Sequence, residues 1–219
     1  MNDTIQSPPG EGLSVQFGCG IVTPEEWLNF DVSPARTLSR IPFMGKLLKI
    51  RKWPGARHGD VIKGLPVPPH SCRRIYSDQV LEHLALDAFR QALRNIHGLL
   101  RSDGVFRSFV PDLGYAMRLY QEAQAKGESD AASQFVIATG LGARTRRRGF
   151  SALRNIFGNS AHFWAWDEAN IRAELEQAGF RDFKRVKYLD SGDPYFNRIE
   201  NYSEYRFCDK SLGFEVRPG

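Results

Sequence analysis

Two short apolar runs open the chain, Leu13-Ser-Val-Gln-Phe17 and Trp27-Leu-Asn-Phe-Asp31. Both are too short and too continuous for amphipathic helices, so they predict buried strands. Arg57-His-Gly-Asp-Val-Ile62 predicts a third strand region and Arg74-Ile-Tyr-Ser77 a fourth, with the proline-rich Leu65-Pro-Val-Pro-Pro69 extended between them. From Leu84 to Leu100 the apolar spacing becomes three and four: Leu86, Phe89, Leu93, Ile96 and Leu100 form one helical stripe. Ser102-Asp-Gly104 is then a turn into a fifth strand, Val105–Val110, closed by Pro111-Asp112. Helical composition resumes from Leu113 to Lys126, and a Gly- and Arg-rich loop follows from about Thr139 to Asn159. Asp167 is a good N-cap for a helix over Glu168–Ala178, with Gly179 as its stop. Phe183–Leu189 and Leu212–Val216 fit two late strands. Strands and helices that alternate and end in a strand pair imply an α/β domain whose mostly parallel sheet carries an antiparallel addition.

Composition limits the class without naming it. A chain of 219 residues with 42% hydrophobic and 25% charged content suits one globular domain. Residues 1–12 read as a disordered polar lead and 13–219 as the domain. No apolar run approaches the ~18 residues of a membrane span, and the N-terminus lacks the basic and apolar regions of a signal peptide. Cys19, Cys72 and Cys208 are odd in number and widely separated, which favours reduced thiols in a cytoplasmic protein. Neither the cysteines nor the five histidines show ligand spacing, so no metal is expected. The net charge of +5 is unevenly spread. Residues 36–58 carry seven basic side chains and no acid, and Arg144-Thr-Arg-Arg-Arg148 is a second cluster with glycines on both sides. These two basic inserts, about 33–57 and 139–160, are either solvated faces or surfaces for an anionic substrate, a nucleic acid or an acidic membrane.

The chemistry concentrates where the first two strands end. Phe17-Gly-Cys-Gly20 is a glycine turn that lets backbone approach a ligand, and Asp31 ends the second strand as an acceptor for ribose hydroxyls. Gly18 to Asp31 is shorter than the roughly 20 residues of a dinucleotide fingerprint, and the third glycine of that fingerprint is missing. Between the runs, Thr23-Pro-Glu-Glu26 reads as one capped turn, with Thr23 as N-cap and Pro24 at the first position. Carboxylates at such a start repel pyrophosphate. The pattern points to a nucleoside without phosphates.

Taken in order, these segments resemble the class I S-adenosylmethionine-dependent methyltransferases, in particular the small methyltransferase-domain type with a shortened first helix. Phe17-Gly-Cys-Gly20 resembles the first motif and Trp27-Leu-Asn-Phe-Asp31 the variant W-(L/I)-N-x-D. Tyr76-Ser-Asp-Gln-Val-Leu-Glu-His-Leu84 resembles the signature after the fourth strand, Val110-Pro-Asp-Leu113 the P-D-L segment, and Ala178-Gly-Phe180 the end of the late helix. The chain departs from the pattern at Arg73-Arg74, where an acidic residue is expected, and at Ser102-Asp103, where the family has Pro-Gly. The resemblance implies a Rossmann-like, mostly parallel seven-stranded sheet flanked by helices, with an antiparallel C-terminal strand, and S-adenosyl-L-methionine as cofactor. It implies that Gly18, Cys19 and Gly20 lie against the methionine and sugar, that Asp31 takes the ribose hydroxyls, and that Asp60 and Val61 meet the adenine. Ser77 and Asp78 would stand near the transferable methyl.

Methyl transfer needs positioning above all, and a base only for a protonated acceptor. Candidate bases are Asp112, His83, Asp78 and His162; bracing of the following helix is the alternative for His83, and aromatic packing for His162. Glu82 reads as a helix-start residue. Tyr195, in the polar-aromatic loop after Gly192-Asp-Pro, could border an acceptor pocket that Arg144, Arg146, Arg147 and Arg148 close over. The acceptor suggested is a small molecule or glycan, anionic if the arginines face it. A catalytically silent scaffold and an RNA-binding protein are the rival readings. The second is disfavoured because the aromatics are not interleaved with the basic runs.

Overall fold

The computed structural model describes residues 11–32, 55–142, 162–206 and 210–219. Seven strands form one sheet: β1 (Leu13–Phe17), β2 (Leu28–Asp31), β3 (Arg57–His58), β4 (Cys72–Asp78), β5 (Leu100–Pro111), β6 (Phe180–Val186) and β7 (Ser211–Pro218). Their order is β3-β2-β1-β4-β5-β7-β6, and β7 alone runs antiparallel to its neighbours. The chain leaves β1 toward β2 and β3, then returns to the other side of β1 as β4. The switch point is therefore between β1 and β4, and the crevice for a ligand is at their carboxyl ends. The expected α/β fold, with its mostly parallel seven-stranded sheet and antiparallel C-terminal strand, is present.

Among the described residues five helices accompany the sheet: α1 (Leu86–Leu99), α2 (Leu113–Ala125), α3 (Ala131–Ala138), α4 (Glu168–Gln177) and α5 (Pro194–Glu200), with a 3-10 turn over Leu81–His83 after β4. The apolar stripe of α1 buries Phe89, Leu93 and Ile96 against Val15, Ile75 and Phe106 on one face of the sheet. Alternation along the strands sends Tyr76 and Phe109 to the opposite face, where they pack with Trp27, Val186, Phe196 and Ile199. Asp167 caps α4 by accepting from the Asn170 amide (2.8 Å), and Gly179 follows in the left-handed region. Both were legible from the sequence.

Three expectations change. The turn at Ser102-Asp-Gly104 is absorbed into β5, which begins directly after α1. Its pairing jumps from Cys72–Leu100 to Arg74–Val105, a bulge fixed by Arg73 and Arg101 on Asp103 (2.9 Å each). The loop assigned to Tyr195–Arg198 is instead α5, with Asp193 accepting from the Tyr195 amide at 3.0 Å and Pro194 in the first turn. The stretch after α2 holds a further helix, α3, which the sequence reading left unassigned. The basic inserts and the polar lead fall almost wholly outside the described residues.

Candidate functional site at the carboxyl ends of β1, β2 and β4

The glycine turn and the first acid are joined directly. Gly18 and Gly20 both have positive φ, 64° and 54°. The Cys19 amide donates to Phe30 O (3.1 Å), and the Gly20 amide donates to Asp31 Oδ2 (3.0 Å). The turn after β1 is thus held by the end of β2. A Cβ on Gly18 would overlap the methyls of Val80, so the turn packs tightly on the segment after β4. A Cβ on Gly20 would meet nothing within 4 Å; its backbone borders open space where a ligand can come close.

Beside the turn is a cavity of about 80 Å³, lined by Gln16, Gly18, Cys19, Val22, Tyr76 and Asp78, with Ile199 and Ser203 from the α5 side. At ~30 Å³ per water it has room for two or three. Among the described residues Gln16 Oε1 and the Tyr76 hydroxyl, buried there, have no hydrogen-bond partner. Such orphaned polar atoms cost free energy unless a ligand or water satisfies them. Asp78 accepts from the Tyr188 hydroxyl (2.6 Å), and Tyr188 stacks on Phe109 at 3.7 Å. Burial pushes the Asp78 carboxyl up, against the pull of its hydrogen bonds. Ser77 faces the other way: its hydroxyl pairs with that of Ser108 (2.8 Å) inside the core, leaving only its backbone near the crevice.

Asp60 follows β3 in a tight turn, its Oδ1 accepting from the Ile62 amide at 2.9 Å. Asn95 of α1 donates to the carbonyls of Val61 and Ile62, both at 2.8 Å, and fixes this turn to the helix. Asp112 serves another purpose. Its Oδ1 caps α2 through the Tyr115 amide (3.2 Å) and its Oδ2 holds Arg185 (2.7 Å), so both carboxylate oxygens are engaged. Two guanidiniums lie over the Tyr195 ring, Arg74 at 4.0 Å and Arg198 at 4.2 Å from the centroid. Arg74, which stands in the region of the expected acid, also binds the α5 cap Asp193 at 2.6 Å. Arg144, Arg146, Arg147 and Arg148 lie outside the described residues.

The sequence reading missed one grouping. Past Val80, the 3-10 turn presents Glu82 and His83, and the segment after α3 brings His162 against them. The two imidazoles meet edge to face with centroids 4.9 Å apart. Glu82 has a side chain 1% exposed, and among the described residues neither of its oxygens makes a hydrogen bond. Burial pushes its carboxyl up to about 8, and the charge of Asp78 adds to the effect. The only signal in the sequence was the adjacency of Glu82 and His83; His162 lies beyond α1, β5, α2 and α3.

No family model matches the chain, and no curated protein matches it. Solved structures do. An S-adenosylmethionine-dependent methyltransferase of Thermotoga maritima is 14% identical, with 95% of this chain and 83% of that one covered at a TM-score of 0.51. A Pyrococcus horikoshii protein is 10% identical, with 95% and 82% covered at a TM-score of 0.50. Among the described residues no helix is long and apolar enough to cross a membrane. At such identities the likeness is one of architecture, and with the strand order above it gives this chain the class I methyltransferase fold.

Proposed function

We propose that this protein transfers a methyl group from S-adenosylmethionine to a small-molecule or glycan-type acceptor, drawn in by negative charge. The observation that carries the reading is the Gly18–Gly20 turn bonded to the Asp31 carboxylate at the switch point of the sheet. A nucleoside fits this arrangement: close backbone at Gly20, a fixed carboxylate for ribose hydroxyls, and the Asp60–Val61 turn on the adenine side. The cavity suits the amino-acid end of the same molecule, since Gln16, Tyr76 and Asp78 offer acceptors to an ammonium and a hydroxyl to a carboxylate. No phosphate cradle is needed, and Glu25 and Glu26 stand where one would be.

When bound, the cofactor supplies an already activated methyl on a sulfonium. What remains for the protein is to hold the acceptor in line and exclude water. Asp78, desolvated beside the cavity, favours positive charge near it. The proton of a hydroxyl acceptor would go to an imidazole, and His83 and His162 are the side chains placed for that after β4; Asp112 is removed from this part by its cap and its arginine. Arg144, Arg146, Arg147 and Arg148 complete the reading as the acceptor's electrostatic lure.

Calorimetry with S-adenosylhomocysteine tests the reading most directly, alongside thermal melts. At 100 times its Kd the compound should stabilise the fold by about 2.7 kcal/mol, whereas NAD and NADP should leave the melting temperature unchanged. The reverse ranking would remove the methyltransferase reading. Asp31→Ala should weaken S-adenosylhomocysteine by about 1.5–3 kcal/mol, the scale of hydrogen bonds to a charged group. An unaltered affinity in the folded variant would take Asp31 out of the site.

A further inference from the structure

We propose that Glu82, His83 and His162 form a binding site for a first-row divalent cation of the zinc class. Each offers one ligand atom, and the three atoms lie within 4.8 Å of one another. Glu82 Oε1 is 3.9 Å from Nε2 of His83 and 3.9 Å from Nε2 of His162. The edge of a tetrahedron with metal–ligand bonds of ~2.1 Å is about 3.4 Å, so each Glu82–imidazole pair needs to close by roughly half an ångström and the two imidazoles by more.

The independent mark of a ligand is the carboxylate. Glu82 is enclosed, with its side chain 1% exposed, yet among the described residues neither oxygen has a hydrogen-bond donor. A buried carboxylate in that condition is strongly unfavourable unless a proton or a cation neutralises it. Among the described residues it is aimed at two imidazole nitrogens rather than at a lysine or arginine.

The histidine side is prepared for a cation as well. His162 Nδ1 is 2.8 Å from Thr139 O. A carbonyl only accepts, so Nδ1 carries the proton and neutral His162 has its lone pair at Nε2, toward Glu82. This is the outer hydrogen bond that commonly orients metal-bound imidazoles. The backbone reinforces it: the Glu82 carbonyl accepts from the amides of Phe163 (2.8 Å) and Trp164 (3.1 Å), stitching the segment of His162 to the turn of Glu82 and His83. Gly140 makes room, since a Cβ there would overlap the His162 ring. Two imidazoles and one carboxylate select zinc, cobalt or nickel over magnesium and calcium, which prefer all-oxygen shells.

Three protein ligands leave coordination positions for water or for an oxygen of the acceptor; with both imidazoles coordinated, a metal-bound hydroxide rather than His83 or His162 takes the acceptor's proton. That second use rests on the methyl-transfer reading, because Val80, which packs on Gly18, sits on the same turn as Glu82. Cation binding itself does not rest on it and is measured without cofactor.

The experiment is calorimetric titration of the chelator-treated full chain with Zn²⁺, paired with the d–d absorption of added Co²⁺. One ion per chain is expected, with cobalt bands of imidazole-containing low-coordinate geometry. Glu82→Gln, which is nearly isosteric, and His162→Ala should each weaken Zn²⁺ about 100-fold or more. Gly140→Ala keeps all three ligands but crowds the His162 ring, and should weaken it by about 10-fold, the lower end for an altered outer shell. S-adenosylhomocysteine binding by Glu82→Gln serves as the control for an intact fold; if wild type does not bind that compound, its cooperative melt takes over as the control. Absence of micromolar Zn²⁺ binding by the wild type, or binding that both ligand substitutions leave unchanged, would overturn the site.

Discussion

Replacing Arg107 by Ala is expected to destabilise the fold by about 3–5 kcal/mol, the usual cost of removing one partner from a buried ion pair. Arg107 is in the middle of β5 and its side chain is fully buried, as is that of Glu200 on α5. Its Nε donates to Glu200 Oε1, Nη1 to Glu215 (2.7 Å), and Nη2 to the Lys187 carbonyl (2.6 Å) and Asp190 (3.0 Å). One guanidinium therefore joins β5, β7, the connection after β6, and α5. Without it Glu200 keeps, among the described residues, only the Leu189 amide as a donor and remains enclosed, where burial already pushes its carboxyl up. Urea unfolding followed by tryptophan fluorescence measures the loss. Arg107→Met combined with Glu200→Leu should recover part of it, because the double variant leaves no buried charge on either side of the pair. Since Ile199 and Ser203 of the α5 region line the cavity, ligand affinity should fall with stability in the single variant. A cost under about 1 kcal/mol would mean that water replaces the arginine freely, against its full burial.

Where the sequence spoke clearly, the signal was local and repeated. The spacing of Phe89, Leu93 and Ile96 and the caps at Asp167 and Gly179 each depend on residues within one element, and those elements are in place. Two Pro-containing starts show where such reasoning stops. Asp193-Pro194 and Thr23-Pro24 carry the same signature, yet the first opens α5 and the second gives only a turn, with the Trp27 amide on Pro24 O (3.1 Å). What separates them is tertiary. Trp27 must enter the aromatic cluster with Tyr76 and Phe196, and Asn29 closes the turn by donating to Pro24 O and Trp27 O. β2 then begins before a helix has length to form. The candidate site was legible in the same uneven way. The Gly18–Gly20 turn and Asp31 are close in sequence and meet as expected, but the roles offered to Asp112 and Tyr195 could not be judged without Arg185, Arg74 and Arg198, all remote in the chain. His162 looked like a member of an aromatic run because its partners, Glu82 and Thr139, are brought to it only by the fold.

Gly18→Ala is expected to cost about 2–5 kcal/mol and to abolish binding of S-adenosylhomocysteine. Two effects add. A left-handed backbone costs an L-residue roughly 1–2 kcal/mol, and Gly18 has φ 64°. The new Cβ would also lie 2.9 Å from Val80 Cγ1 and closer still to Cγ2, an overpacked contact of the kind that costs about 1–3 kcal/mol. Moving Val80 is no remedy for the site, because Val80 lies between Asp78 of the cavity and the turn that holds Glu82. The two effects separate in a double-mutant cycle. In a Val80→Ala background only the Val80 Cβ remains, 3.3 Å from the added methyl, so Gly18→Ala should then cost no more than the backbone share of about 1–2 kcal/mol. Ligand binding by the double variant reports on the turn itself. Recovery would assign the loss to the clash. Continued loss in a stable double variant would mean that the backbone of Gly18 changes course, taking with it the Gly20 amide that Asp31 holds. Equal costs in both backgrounds would show that Val80 yields without strain and that the tight approach between β1 and β4 does not set the shape of the site.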